Sequence, residues 1–267
     1  MMQDLASQVV ASLTSSKKYG DLCPDTLGRV ANWAVARHPD RDEATKAAKR
    51  KLHQVHASFM TLAQISRLEL LEGELPDHPC DEEVRAVFHS AMCLHTSTRE
   101  RMEIMEELYP VLWEQIGAPH RVLDLACGLH PLAIPWMGLP HDVAYRGVDI
   151  DQRLARAINA LLERARCAGQ VDCRDLLTGM PEGDWDVALL LKALPSLEQQ
   201  EKGAGLRMLS ALRTRCVVVS MPARTLCGRE KGMYEHYDAM ISSLTAGLGW
   251  RSRQLRYPQE TFYLLEH

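Results

Sequence analysis

RVLDLACGLHPLAIP, residues Arg121 to Pro135, decides the fold. An alternately apolar run leads through Asp124, and Ala126, Cys127 and Gly128 then tighten the chain before Pro131 opens a helix. A strand, a glycine turn and a proline-started helix form the opening unit of a parallel sheet wound with helices. The turn has a single glycine. A dinucleotide needs a Gly-rich turn to seat its pyrophosphate on the helix N-terminus, and GLHP does not provide one.

Downstream, short apolar segments alternate with helical ones. Strands are expected at 121–126, 143–148, 171–174, 185–191 and 216–220, with helices at 131–137, 152–168, 197–212 and 234–246. The C-terminal WRSRQLRYPQETFYLLEH reads as two strands around a turn at Pro258. That hairpin adds an antiparallel strand to a mostly parallel, seven-stranded sheet. Upstream of Gly117, Ala118 and Pro119 the texture is different. Leu5, Val9 and Leu13 repeat at helical spacing, and Pro24 and Asp25 open a helix holding Leu27, Val30 and Val35. The style continues over 42–60 and resumes at Val84, Val87 and Phe88. The expected organisation is an all-helical domain over 1–117 followed by an α/β Rossmann-like domain over 118–267.

The chain has 267 residues, 46% of them hydrophobic and 25% charged, which is ordinary for a soluble globular protein. No apolar run reaches the roughly 18 residues that span a bilayer. The N-terminus places an acid early and lysines late, the reverse of a secretory signal, so a cytoplasmic location is expected. The eight cysteines form no CxxC pair, and the HxxH of His53 and His56 lacks a Cys or Asp to complete a metal shell. No metal role is expected.

A net charge of −4 does not by itself attract a polyanion. Two local concentrations of cations do. Lys46, Lys49, Arg50 and His53 share one helical face, with Lys17, Lys18 and Lys51 adding to it. SMPARTLCGREKGMYEHY, following the fifth strand, gathers Arg224, Arg229 and Lys231 between small residues. A solvated helix face is the ordinary explanation for such charges. Two patches flanking one pocket favour a nucleic-acid substrate over a metabolite.

In doubly wound sheets ligands sit beyond the carboxyl ends of the strands. Asp149 ends the second strand, GVDID, at the distance from Gly128 where an acid accepts ribose hydroxyls. Asp175 ends the third, VDCRD, with Leu176 placed to pack on a purine ring. A nucleoside without phosphates suits this arrangement. DLACG followed by GVDID resembles the first two motifs of Rossmann-like methyltransferases, whose donor is S-adenosylmethionine. HTSTRERM, His95 to Met102, supplies Arg99 and Arg101, either of which can clamp a carboxylate in a bidentate fork. The alternative for this stretch is a capped helix start with Ser97 or Thr98 as N-cap. A structural turn with no cofactor is the alternative for the glycine.

Taken together, SKKY, LCPDT, LHTSTRERM, VLDLACGLHPLA, LLLKALPSLEQQ and SMPARTLCGREKGM resemble the aminoglycoside-resistance 16S rRNA (guanine-N7) methyltransferases, from about Ser15 to the C-terminus. The resemblance implies a helical N-terminal extension that docks on the 30S subunit and a Rossmann-like domain that binds S-adenosylmethionine and releases S-adenosylhomocysteine. It implies a monomer whose product ribosomes resist 4,6-disubstituted deoxystreptamine drugs. It assigns the donor to His95, Arg101, Ala126, Gly128, Asp149, Ile150, Asp175, Leu176 and Leu191. Lys17, Lys18, Lys49, Arg50 and Lys51 are similar to rRNA-docking residues. Arg224, Arg229, Lys231 and Met233 resemble the part that reaches the target nucleotide. Lys192, ending the fourth strand, is expected to face the acceptor; a lysine with a buried stem and a solvated head is the alternative. Guanine N7 carries a lone pair and no proton, so positioning by Lys192, Arg224 and Met233 is expected rather than proton transfer. A methyltransferase of another RNA position or of a small molecule, and a non-catalytic RNA-binding assembly factor, stay open.

Overall fold

The computed structural model describes residues 2–54, 60–223 and 233–267. Arg224, Arg229, Lys231 and His56 lie outside the described residues, so the expected target-reaching loop does too.

Among the described residues, seven α-helices precede the first strand. Helices α1 (Met2–Thr14), α2 (Pro24–Val35) and α3 (Arg41–Leu52) close around a core of their own, built on Val9, Leu13, Leu27, Val30 and Leu52. Pro24 starts α2, where its missing N–H loses nothing. Asp40 starts α3: its carboxylate accepts from the Asp42 and Glu43 amides, both at 2.9 Å. Helices α4 (Leu62–Leu71), α5 (Asp81–Met92), α6 (Thr96–Met102) and α7 (Met105–Ile116) behave differently. Their buried residues, among them Leu68, Phe88 and Tyr109, run without a break into Val122, Leu132 and Ile158 of the α/β part. The helices upstream of 117 thus fall into two packing groups. One has a separate core and the other covers a face of the sheet.

The sheet comprises β1 (Arg121–Leu125), β2 (Ala144–Asp149), β3 (Gln170–Cys173), β4 (Asp184–Leu191), β5 (Arg213–Pro222), β6 (Arg251–Arg256) and β7 (Glu260–Glu266). Its order is β3-β2-β1-β4-β5-β7-β6. All pairs are parallel except those of β7, which runs antiparallel to both β5 and β6. This is the expected seven-stranded Rossmann-like sheet with its C-terminal hairpin. Strands β4 and β5 are apolar and buried along nearly their whole length, as parallel strands covered on both faces must be. Between β1 and β4 the chain changes direction across the sheet, and the crevice at their carboxyl ends is where such a fold binds ligands.

The remaining helices are α8 (Gln152–Arg164), α9 (Leu194–Gln200), α10 (Ala204–Ala211) and α11 (Met233–Leu248). Three expectations change. The helix after Gly128 is a 3-10 turn over His130–Trp136: Pro131 is tolerated at its start, but Pro135, inside it, lacks the N–H an α-helix would use. Helix α8 stops at Arg164: Arg166 takes φ 54° and the Cys167 amide turns back to the Leu162 carbonyl at 2.9 Å. The expected helix 197–212 is two helices. Gly203 sits at φ 82° between them, and Glu198 accepts from the Gly203 and Gly205 amides at 2.8 and 2.7 Å, which caps α10. No helix among the described residues is long and apolar enough to cross a membrane.

Candidate active site

A cleft of about 1160 Å³, counting its open side, lies at the carboxyl ends of β1, β2, β3 and β4. All nine residues expected to hold the donor line it, and so does Lys192. The turn after β1 is its floor. Ala126 and Gly128 adopt φ 52° and 51°, and Lys192, on the opposite wall, φ 57°. Left-handed backbone at two non-glycine residues is strained, and strain of this kind persists where the surroundings enforce it. Here the surroundings are visible. Asp149 Oδ2 accepts from the Gly128 amide at 3.0 Å while Oδ1 accepts from Asp151 at 3.1 Å, so one carboxylate ties the β1 turn to the β2 turn. A Cβ placed on Gly128 would meet no atom within 4 Å, so the space above the turn is open.

Below the floor, Asp124 is buried. Its Oδ2 accepts from the Tyr145 hydroxyl at 2.6 Å and pairs with His130 Nδ1 at 2.7 Å. His130 Nε2 meets the Tyr109 hydroxyl at 2.8 Å. The His130 ring thus links the Asp124 carboxylate on one side to the Tyr109 hydroxyl on the other. Asp124 therefore holds the turn from beneath.

Each end of the cleft holds an arginine–carboxylate pair. At one end Arg101, of which 2% of the side chain is exposed, gives its Nε and Nη2 to Glu260 at 3.2 and 2.7 Å. Glu260 also accepts from the Ser220 hydroxyl and lies 3.4 Å from Lys192 Nζ, which reaches Glu100 at 2.8 Å. The Arg101 fork is thus engaged on its Nε edge, and its Nη1 makes no hydrogen bond among the described residues. Lys192 is a paired cation, not the solvated head of the alternative reading. Burial works against the charge on Glu260, but Arg101 and Lys192 overcome it and hold its carboxyl below the ordinary range. Burial, helped by Arg101 and Lys192, pushes His95 down to about 4. Arg99 is exposed. The N-cap position of helix α6 is His95, with no side-chain cap hydrogen bond, and is neither Ser97 nor Thr98; the Thr98 hydroxyl donates instead to the Met92 carbonyl at 2.6 Å.

At the other end Asp175, 2% exposed, accepts from Arg29 Nε at 2.8 Å and from the Leu177 amide at 2.9 Å. Leu176 and Ile150 line the walls beside it. An adenosine bearing an amino-acid tail fits this arrangement: an acid pair towards ribose and base, a glycine turn between them, and a buried guanidinium towards the tail carboxylate.

Arg29, Glu100, Gln200 and Glu260 carry no signal in the sequence. Each meets its partner across scores of residues, and Glu260 stands in a hairpin whose charged residues would be read as solvated. The expected docking cations are only partly brought together. Lys17 and Lys18 are exposed in the turn after α1, and Lys18 Nζ lies 3.2 Å from His53 Nδ1 at the end of α3, which carries Lys49 and Arg50. Lys51 faces elsewhere, with its Nζ 5.5 Å from the Trp33 ring centre, and burial, Arg29 and Arg37 lower its pKa. No group of three or more His, Cys, Asp or Glu side chains gathers for a metal among the described residues.

The His95 shift predicts acid sensitivity. A histidine held neutral in the fold but ordinary at 6.5 when unfolded lends stability that is complete above 6.5 and is lost as pH falls towards 4. By pH 5 the loss is about 2 kcal/mol. Melting curves between pH 7.5 and 5 should show it, and His95→Gln should flatten that slope. An unchanged slope would remove His95 as its source.

A family model described as ribosomal RNA methyltransferase (FmrO) matches residues 15–264. A 16S rRNA (guanine(1405)-N(7))-methyltransferase of Micromonospora echinospora is 35% identical over 99% of this chain and 97% of its own length. One from Frankia casuarinae is 35% identical over 98% and 94%. The crystal structure of the 16S rRNA methyltransferase RmtF in complex with S-adenosyl-L-homocysteine matches with a TM-score of 0.85 at 33% identity, covering 98% of both chains. With a full-length sequence match, the same sheet and a cleft suited to an adenosine-bearing donor, the chain belongs to the FmrO family of ribosomal RNA methyltransferases.

Proposed function

We propose that this chain methylates N7 of guanine 1405 in 16S rRNA, in the assembled 30S subunit, using S-adenosylmethionine. It works as a monomer in the cytoplasm, and the modified ribosome resists 4,6-disubstituted deoxystreptamine aminoglycosides. The observation that carries the reading is the single cleft that gathers His95, Arg101, Gly128, Asp149, Asp175 and Lys192 in a chain matched end to end by enzymes of that name.

S-adenosylmethionine supplies the methyl group when bound. The chain's own residues orient and enclose. Asp149 accepts the ribose hydroxyls, Asp175 and Leu176 take the base, and Arg101, steadied by Glu260, takes the tail carboxylate. Guanine N7 needs no base to deprotonate it, so alignment of the reacting atoms, about 3–3.5 Å apart, is the catalytic requirement. In A-form RNA the major-groove edge that carries N7 is too deep for side chains to reach, and the base must swing out of its stack. Contacts by Lys17, Lys18, Lys49 and Arg50 offset that unstacking. Lys192, Arg224 and Met233 position the extruded nucleotide, and Arg229, Lys231 and Lys51 add to the RNA contacts.

Mapping the modified base by primer extension on treated 30S subunits tests the site of methylation. Labelled methyl at another position, or on free antibiotic, overturns the assignment. Replacing Lys49 and Arg50 together by glutamate should weaken subunit binding and reduce the salt slope by about 1 to 2, while affinity for S-adenosylhomocysteine stays as in the parent. An unchanged slope would move the docking surface away from α3.

A further inference from the structure

The three-helix group α1–α3 enters the cleft itself. Arg29, on α2, lines the cleft beside Asp175, Ile150 and Gln200. Its Nε donates to Asp175 Oδ2 at 2.8 Å and its Nη2 to Gln200 Oε1 at 3.1 Å. The segment before α2 is fastened to the same rim through the backbone. The Cys23 amide donates to the Ile150 carbonyl at 2.7 Å and the Gln152 amide to the Asp21 carbonyl at 2.8 Å. Leu22 pairs with Asp151 as an isolated antiparallel bridge, and Arg156 meets Asp21 at 3.2 Å. Ile150, on the cleft wall, packs against the α1–α3 core.

These contacts do something specific to Asp175 and Gln200. Asp175 is a buried carboxylate, and Arg29 is its counter-charge, with the guanidinium holding the carboxylate in place on the wall. Gln200 has an amide that can face either way. With its oxygen engaged by Arg29, the NH2 end is the one left to donate elsewhere. One guanidinium thus fixes an acceptor at Asp175 and a donor at Gln200, side by side on one wall. An aminopurine edge presents the complement, an exocyclic N–H beside a ring nitrogen.

We propose that Arg29 is a positioning residue for the adenine half of the methyl donor, so that the separately cored group α1–α3 also contributes to the donor site. This rests on reading the cleft as the S-adenosylmethionine site. Isothermal titration with two probes separates the two claims: S-adenosylhomocysteine, and 5′-methylthioadenosine, which keeps the adenosine and lacks the amino-acid tail. Arg29→Ala should weaken both by the same factor, about tenfold. Arg29→Lys should recover only part of the loss, because one ammonium on a flexible stem does not reproduce a fork held on two oxygens. If the alanine variant melts far below the parent without ligand, Arg29→Lys decides alone. Parent-like affinity for both probes in Arg29→Lys then overturns the proposal. So does an Arg29→Ala effect of less than about twofold, or one confined to S-adenosylhomocysteine. A parent protein that binds neither probe overturns the cofactor reading instead.

Discussion

Asp149→Asn should lower affinity for S-adenosylhomocysteine by about 100-fold or more, although the two side chains have the same shape. Both oxygens of Asp149 already accept backbone amides, Oδ2 from Gly128 at 3.0 Å and Oδ1 from Asp151 at 3.1 Å. An asparagine has one oxygen. Whichever way it turns, its NH2 meets an N–H, and one of the two turns that form the cleft loses its tether. Hydrogen bonds to a charged acceptor are worth about 1.5–3 kcal/mol each, and with the donor bound as proposed the ribose hydroxyls lose the same acceptor. Together these account for about 3–4 kcal/mol. Asp149→Glu keeps the charge but places it a methylene further out, so an intermediate loss is expected. Titration calorimetry on folded protein, checked by circular dichroism, reads the effect. A dissociation constant for Asp149→Asn within about threefold of the parent's would remove this residue from the donor site.

The same residue shows what sequence could deliver. Asp149 and Gly128 were legible because each sits at the end of a strand whose periodicity is local, and the turn's geometry follows from a few neighbouring residue types. So were Asp175 and the helical texture before Gly117. Arg101 was legible as a candidate in HTSTRERM, but spacing could not separate it from Arg99; burial does, with Arg101 inside and Arg99 in solvent. What escaped are partners. Arg29 and Asp175 stand 146 residues apart, Arg101 and Glu260 159, and Lys192 and Glu100 92. No local rule records that a given carboxylate will be buried against a given guanidinium, because the pairing is decided when the helical group and the hairpin pack on the sheet. Local effects were missed where a backbone donor was lacking or a glycine intervened, as at Pro135 in the 3-10 turn and at Gly203 between α9 and α10.

Glu260 therefore carries the second large effect. It is fully buried, and it faces two cations: Arg101, 2% exposed, and Lys192, 10% exposed at the side chain. Glu260→Ala leaves the Arg101 guanidinium in a low-dielectric interior without its counter-charge, and breaking a buried pair in this way costs about 3–5 kcal/mol. For a chain of this size that is a fall in Tm of about 10 °C. Removing both partners is a different experiment. Arg101→Met combined with Glu260→Leu leaves no orphaned charge between them, and Lys192 keeps Glu100 at 2.8 Å. Most of the stability should return, because apolar residues of similar volume replace buried ion pairs at little cost. Affinity for S-adenosylhomocysteine should not return, since the double variant lacks the guanidinium proposed to hold the tail carboxylate. The acid side of the stability curve supplies a further check. A carboxyl held below its ordinary 4.5 lends stability that is present above 4.5 and is lost as pH falls through the lower, folded value, so the double variant should lack that part of the acid transition. Recovered stability with recovered affinity would mean that the tail carboxylate is gripped elsewhere; a single Glu260→Ala variant melting within about 2 °C of the parent would mean that water reaches Arg101 and that its burial is not what orders this end of the cleft.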